Sequence, residues 1–372
     1  MKVALVHDYL REFGGAERVL NVLTEMYPEA PIYTAFFCNN GSCKKVFEKK
    51  DIRESFLAPI LKKWNLYSPL RFLIPWLWRS FDLSDYDLII TSCSSYIARG
   101  FKVGSKTKVV AYCHTPPRYL YGYETSIDWQ KYFLVKVYSV VVNHFLRLFD
   151  YKSAQEVDYW VVNSENVRQR VKKFYRREAE VIYPPVELSG LTDDILRTEK
   201  RNYFLIVSRL VGGKGLEAAA KAATELGFDL KIAGEAVGFS QIEERVKQIG
   251  GKRVELLGRV SDEEIYRLYA EAKGFIALAR DEDFGMTVVE AQMAGTPVLA
   301  FNGGGFRETV VDGVTGILIE DMTVGAIKEG IVKFNKLKWD KNKIYENANR
   351  FSRENFEIKF GKLISQVMKN YA

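Results

Sequence analysis

EDFGMTVVEAQMAGTPVLAF, residues 282–301, follows the apolar run GFIALA (274–279) and decides the fold. Gly285 permits a tight backbone turn. A helix follows it and ends at Gly295, and Pro297 opens a second apolar run, PVLAF (297–301). Strand, loop, helix and strand in so short a stretch make a crossover unit, the connection that parallel strands require.

The same alternation extends in both directions. Before this unit lie VALVHDYL (3–10), DLIITSC (87–93), KVVAYCHT (108–115), WVVNS (160–164), VIYPP (181–185), YFLIVSRL (203–210), DLKIAG (229–234) and VELLG (254–258); after it comes GILIE (316–320). These runs are almost continuously apolar, as strands covered on both faces must be. Helical patterns separate them, for example AERVLNVLTEM with Val19, Leu20, Leu23 and Met26 on one face. Alternation twice over predicts an α/β protein with two doubly wound, Rossmann-like domains. The expected division is a first domain over 1–188, a linker over 189–202 beyond Pro184-Pro185, and a second domain over 203–354. The terminal helix, 355–372, is open to either domain, including a return to the first.

Composition narrows the function classes. The chain has 372 residues, 47% apolar and 27% charged, which excludes collagen, a disordered tail protein and a disulfide scaffold. The longest apolar stretch, KYFLVKVYSVVVNHFLRLF (131–149), is broken by Lys136, Asn143, His144 and Arg147, which argues against a membrane span. MKVALVHDYL is too short and too charged for a secretory signal, so a cytoplasmic location is expected. Cys38, Cys43, Cys93 and Cys113 lack zinc-ribbon spacing and are read as reduced, structural thiols.

Ligands of such sheets bind beyond the carboxyl ends of the strands, so candidates are sought there. Arg209 and Lys214 follow one strand among Gly212, Gly213 and Gly215, where two cations and backbone amides can converge on a diphosphate. The amides of Met286 and Thr287, after Gly285, can point at an anion from a helix start. Glu290 has two readings: it closes a capping box with Thr287, or it binds ligand. The capping box leaves Glu282 unexplained, crowded beside Asp281 and Asp283. Gly14 and Gly15 follow the first strand, with Glu17 opening a helix whose positive end it favours. His114 ends a strand immediately before Pro116-Pro117, as a structural histidine or as a ligand contact.

Glu282 and Glu290, separated by seven residues in the context FGM…EAQMAGTPV, resemble the E-x7-E signature of retaining family-4 glycosyltransferases of the GT-B fold. LIVSRLVGGKG (205–215), GGGFRETVVDGVTGIL (303–318) and FGGAERV (13–19) are similar to that family's phosphate-clamping loop, glycine-rich loop and first-domain loop, in the expected order. The resemblance implies two domains facing across a cleft and a nucleoside diphosphate sugar as substrate, with no cofactor. It assigns the diphosphate to Arg209 and Lys214, the ribose hydroxyls to Glu290 and the hydroxyls of the transferred sugar to Glu282 and His114. It brings the amides after Phe284, those of Gly285, Met286 and Thr287, to the sugar or phosphate. It sets Gly258 and Val260, in LLGRVSDEEI (256–265), beside the base. A donor phosphate oxygen, rather than His114, would take the acceptor proton. CHTPPRYLYGYE (113–124) and GTPVLAFNGGGFRETVVDG (295–313) are similar to bacterial mannosyltransferases of surface-polysaccharide assembly, which implies GDP-mannose and a saccharide or lipid-linked acceptor. Asp281-Glu-Asp283 and Asp85-Tyr-Asp87 have the form of a metal–diphosphate signature, but with Arg209 and Lys214 available no metal is expected. An epimerase or phosphorylase on this fold, or a non-catalytic nucleotide-sugar-binding or membrane-scaffold protein, is the alternative.

The net charge of +7 lies wholly in the first half, because residues 191–372 carry equal numbers of acids and bases. It fits an anionic partner or a solvated basic face. FLAPILKKWNLYSPLRFLIPWLWRSF (56–81) holds three of the six tryptophans, Trp64, Trp76 and Trp78, with Lys62, Lys63, Arg71, Arg79 and no acid. That composition fits an anionic membrane surface met peripherally, or a core helix pair with solvated lysines. Its aromatic residues lie among prolines and leucines rather than in a stacking motif, so nucleic acid is not an expected partner.

Overall fold

A computed structural model describes residues 1–39, 41–63, 66–123, 133–187, 190, 192–235 and 241–369. The chain forms two compact units, Met1–Pro185 together with Arg353–Ala372, and Val186–Ser352. Trp64, residue 188 and the linker residues 189 and 191 lie outside the described residues.

The first unit holds seven strands: β1 (Val3–His7), β2 (Ile32–Thr34), β3 (Ile52–Glu54), β4 (Leu88–Cys93), β5 (Lys108–Cys113), β6 (Tyr159–Val162) and β7 (Glu180–Val181). All pairings are parallel, in the order β3-β2-β1-β4-β5-β6-β7. The second unit holds β8 (Tyr203–Val207), β9 (Asp229–Ala233), β10 (Val254–Gly258), β11 (Gly274–Ala277), β12 (Val298–Phe301) and β13 (Gly316–Ile319). Its sheet is also parallel, ordered β10-β9-β8-β11-β12-β13. Every other apolar run read as a strand contains one, whereas VIYPP (181–185) contributes only Val181, to β7. The two three-residue strands β2 and β3 escaped the sequence reading because neither IYT nor IRE forms an extended apolar run.

Each sheet is covered on both faces. In the first unit, Ala4, Val6, Ile89 and Ala111 face one cluster that includes Trp78, while Leu5, Ile90, Val110 and Tyr112 face another. The second cluster is completed by the terminal helix Arg353–Lys369, whose Phe356, Phe360, Leu363, Ile364 and Val367 are buried. Phe356 and Phe360 stack at 5.4 Å, and Phe356 meets the Tyr112 ring edge-on at 5.8 Å. The last helix is therefore part of the core of the first unit.

All four cysteines are free thiols. Arg99 and Asp150 form an ion pair, both fully buried, which the Tyr121 hydroxyl joins at 2.6 Å and the Tyr175 hydroxyl at 3.2 Å. Asp150 belongs to the helix Phe133–Gln155, so this network ties the inner face of that helix to the segment after β4.

Phe360 is fully buried. Phe360→Ala should lower unfolding free energy by about 3–5 kcal/mol, as removal of a buried ring does, measured by urea denaturation. A loss below about 1 kcal/mol would show that the terminal helix is not part of the core.

Candidate active site

In each sheet the strand order reverses once, between β1 and β4 in the first and between β8 and β11 in the second. At such a reversal the crossovers leave to opposite faces and a crevice opens at the carboxyl ends. Most candidate residues gather at these two places, whereas Gly258 and Val260 follow β10 at the edge of the second sheet.

In the second unit, β8 runs into Arg209 and the loop to Gly215. Gly213 and Gly215 have φ of 78° and 66°, and a Cβ on Gly215 would stand 2.6 Å from Leu278. Only glycine fits that turn and that closeness. Lys214 Nζ donates to Glu282 Oε2 at 2.7 Å, joining the loop after β8 to the loop after β11. Arg209 is exposed, and its guanidinium has no partner among the described residues.

The Glu282 loop rests on the glycine-rich segment 303–305. The Gly305 amide donates to the Glu282 carbonyl at 2.9 Å. A Cβ on Gly304 would sit 2.3 Å from that same carbonyl oxygen, and one on Gly305 would sit 2.3 Å from Phe284 Cα. Gly303-Gly304-Gly305 therefore acts as a floor that holds Glu282 in place. Phe284 is buried against Phe351, with ring centroids 5.3 Å apart.

The helix of this segment is Met286–Met293, with Gly285 as its N-cap at φ 93°. The capping-box reading of Thr287 and Glu290 is corrected here. Gly285, not Thr287, occupies the cap, so Glu290 lies a turn too deep to reach back to the helix start. Glu290 is instead buried and accepts from the Tyr269 hydroxyl at 2.7 Å. The amides of Met286 and Thr287 belong to the first turn, where helix N–H groups have no intrahelical acceptor. Gly258, at φ 66°, ends β10 at the sheet edge, and its carbonyl accepts from the Gly234 amide. Val260 packs partly buried beyond it. A cleft of about 350 Å³ beside Gly212 and Gly213 is rimmed by Glu217, Asp321 and Arg280, a mixed set that does not favour an anion.

In the first unit, the sequence reading found Gly14, Gly15 and His114 but missed what joins them. His7 and Ser92 are register partners at the ends of β1 and β4. His114 Nε2 lies 2.8 Å from Ser92 Oγ, which lies 3.0 Å from His7 Nδ1; His7 Nε2 lies 3.4 Å from Glu17 Oε1. Glu17 Oε2 accepts from the Gly14 amide at 2.9 Å. A hydrogen-bonded chain thus runs from the glycine loop to the end of β5. The Asn163 amide holds the His114 carbonyl at 3.0 Å. Asp8 accepts from the amides of Ser94, Tyr96 and Ala98 and fixes the loop after β4.

Glu17 sets one end of this chain. Burial raises the pKa of Glu17, but the bond and charge of His7 and the amides of Glu17 and Gly14 outweigh it, so the carboxyl is held below its usual range. An ionised Glu17 only accepts, so His7 donates from Nε2. Burial, with the His7 charge, lowers the His114 pKa to about 3. His114 is therefore a neutral imidazole, and no protein partner for its Nδ1 exists among the described residues. Such an atom can share a hydrogen bond with a ligand hydroxyl.

Among the described residues no three His, Cys, Asp or Glu side chains group as metal ligands.

Nitrogen-15 NMR of His114 should show one neutral tautomer, with no titration between about pH 8 and pH 5. Ser92→Ala should mix the tautomers. Titration of the His114 ring within that range would overturn the neutral assignment.

Residues 13–189 match the family model described as Glycosyltransferase Family 4, and residues 192–351 match Glycosyl transferases group 1. An uncharacterized glycosyltransferase of Methanocaldococcus jannaschii is 28% identical over 209 residues, 56% of this chain and 57% of the relative. The alpha-1,3/1,6-mannosyltransferase ALG2 of Dictyostelium discoideum is 25% identical over 68% of this chain and 67% of its own length. Among solved structures, sucrose-phosphate synthase from Thermosynechococcus elongatus matches with a TM-score of 0.74 at 16% identity, covering all of both chains. Anabaena Alr3699/HepE, in complex with UDP and glucose, matches at 0.70 and 20% identity over 98% of this chain and 99% of the other. The parallel sheets, their order and these matches place the chain in the GT-B glycosyltransferases of the group 1 and family 4 superfamily.

Proposed function

We propose that the chain is a retaining, metal-independent hexosyltransferase that moves mannose from GDP-mannose to a saccharide or lipid-linked acceptor in surface glycan assembly. The carrying observation is the pairing of Lys214 with Glu282 at the reversal of the second sheet, with Arg209 exposed on the same loop. In the reaction, the bond from sugar carbon to phosphate oxygen breaks and a glycosidic bond forms to the acceptor oxygen. The acceptor proton passes to the departing diphosphate. Arg209, Lys214 and the amides of Met286 and Thr287 stabilise the charge that develops on the leaving group. Glu282 and His114, each within its own unit, are assigned to sugar hydroxyls, and Glu290, kept in place by Tyr269, is assigned to the ribose. Gly258 and Val260 lie by the base, and Gly14 and Gly15 let ligand approach the first-unit backbone.

The mannosyltransferase relative supports mannose. The neighbour in complex with UDP and glucose favours a uridine donor as the second reading, so both sugar nucleotides belong in a screen of donor hydrolysis and thermal stabilisation. The work is placed in the cytoplasm, peripherally on a membrane met through 56–81. No helix among the described residues is long and apolar enough to cross one.

With the stabilising donor, Arg209→Ala and Lys214→Ala should each reduce turnover on the order of 10²-fold or more, as loss of one charge stabiliser does. Near-wild-type rates in both variants would remove the clamp assignment.

Turnover should persist in EDTA, because two cations and helix amides carry the diphosphate charge. Complete loss, restored by Mg²⁺ or Mn²⁺, would return Asp281 and Asp283 to consideration as ligands.

A further inference from the structure

The helix Phe133–Gln155 is apolar on two opposite faces. Its inner face is occupied. Leu146 and Phe149 are buried, Asp150 pairs with Arg99, Asn143 donates to the Tyr119 carbonyl, and Ser139 Oγ accepts from Arg71. A helix apolar all round belongs inside a core, yet here the outer face is bare. Phe133 is 78% exposed, Val140 65%, Phe145 65%, Val141 52%, Leu148 51% and Val137 47%. At about 100° per residue these six side chains span an arc of about 140°. Lys136 and Arg147 border that arc on one side, and Lys152 lies within it near the last turn; all three are exposed. The only acid of the helix, Asp150, is fully buried, so the outer face carries positive charge alone.

The helix lies against the segment singled out for its tryptophans. Arg71 donates to Ser139 and Tyr138 donates to the Pro69 carbonyl, while Arg79 stands over the Phe149 ring at 5.8 Å. That segment divides between inside and outside. Trp78 is fully buried and Arg71 is 7% exposed, whereas Trp76 is 62% exposed, with Phe56, Ile60 and Phe72 also exposed. Lys62 pairs with Glu54 at 2.9 Å. The membrane reading of 56–81 is thereby narrowed: Trp78 and Arg71 serve the core, and the larger apolar face belongs to the neighbouring helix.

We propose that the outer face of Phe133–Gln155, extended by Trp76, lies in the interface of an anionic lipid bilayer. An exposed apolar stripe bordered by cations and free of exposed acids fits such a surface. A neutral protein partner would leave the lysines without a counter-charge. This inference deepens the peripheral reading above, and it is tested separately from donor chemistry.

The test is sedimentation of the full chain with vesicles of equal phosphatidylglycerol and phosphatidylcholine, or of phosphatidylcholine alone. Binding should favour the anionic vesicles and fall in high salt. Val140→Glu combined with Phe145→Glu should reduce partition at least about tenfold, because both side chains must enter the interface. Lys136→Gln with Lys152→Gln should reduce it roughly fivefold per lysine. Melting temperature and stabilisation by GDP-mannose or UDP-glucose should be unchanged in all variants. Equal binding to both vesicles, no binding, or wild-type binding by the double glutamate variant would overturn the proposal. So would a dimer in sedimentation velocity that the double glutamate change dissociates, since the face would then join two copies. Vesicle binding by a chain that no sugar nucleotide stabilises would leave this inference standing and remove the donor reading.

Discussion

Parallel pairing constrains everything else in this molecule. Strands that run the same way cannot be joined by hairpins, so each connection crosses a face of the sheet, usually as a helix. All carboxyl ends then share one edge, and the order reverses once per sheet, at β1/β4 and at β8/β11. A side chain reaches a crevice simply by ending one of those strands or opening the loop beyond it. His7, Ser92, Arg209, Lys214 and Glu282 are all placed by this rule. In this way His7 meets Ser92 in the first unit, and Lys214 meets Glu282 in the second.

Most of the fold was legible because strands covered on both faces must be apolar at successive positions, and those runs stand out. β2 and β3 did not, since three residues cannot establish a pattern. Glu282, Lys214 and Arg209 were legible because glycines mark the turns that present them. The histidine chain was not. Sequence shows His7, Ser92 and His114 in three unrelated runs, and only sheet register sets the first two side by side. Glu290 was legible as a residue but not in its partner, because Tyr269 comes from another helix. The capping-box reading failed because Gly285, in a left-handed conformation, moved the helix start forward.

The pairing of Lys214 with Glu282 also bears on how such a site exists before ligand arrives. A half-buried ammonium and carboxylate each lose hydration, and their contact offsets part of that cost. In the proposed reaction both would exchange this contact for donor groups, the ammonium for phosphate and the carboxylate for sugar hydroxyls. The glycine floor at 303–305 limits how far the Glu282 backbone can move in that exchange. Glu290 differs, since its Tyr269 bond holds one oxygen and leaves the carboxylate oriented rather than exchanged.

Charge in the first unit follows a separate logic. The strand ends at its reversal carry His7, Asp8, Ser92 and, through the helix, Glu17, with His114 alongside; none is Lys or Arg. The surplus of +7 in that half therefore does not serve these groups. Part of it is structural: Arg99 pairs with Asp150, Arg71 lies over Tyr119, and Arg170 lies over Tyr123 while donating to Thr115. Much of the remainder stands on exposed faces, including those of Lys136, Arg147, Lys152 and Arg79. Excess charge kept away from the strand ends, beside an uncovered apolar helix, acts on orientation at a surface rather than on the bond being broken. Electrostatics of the reaction then falls to the second unit, whose two cations stand at the turn beyond β8.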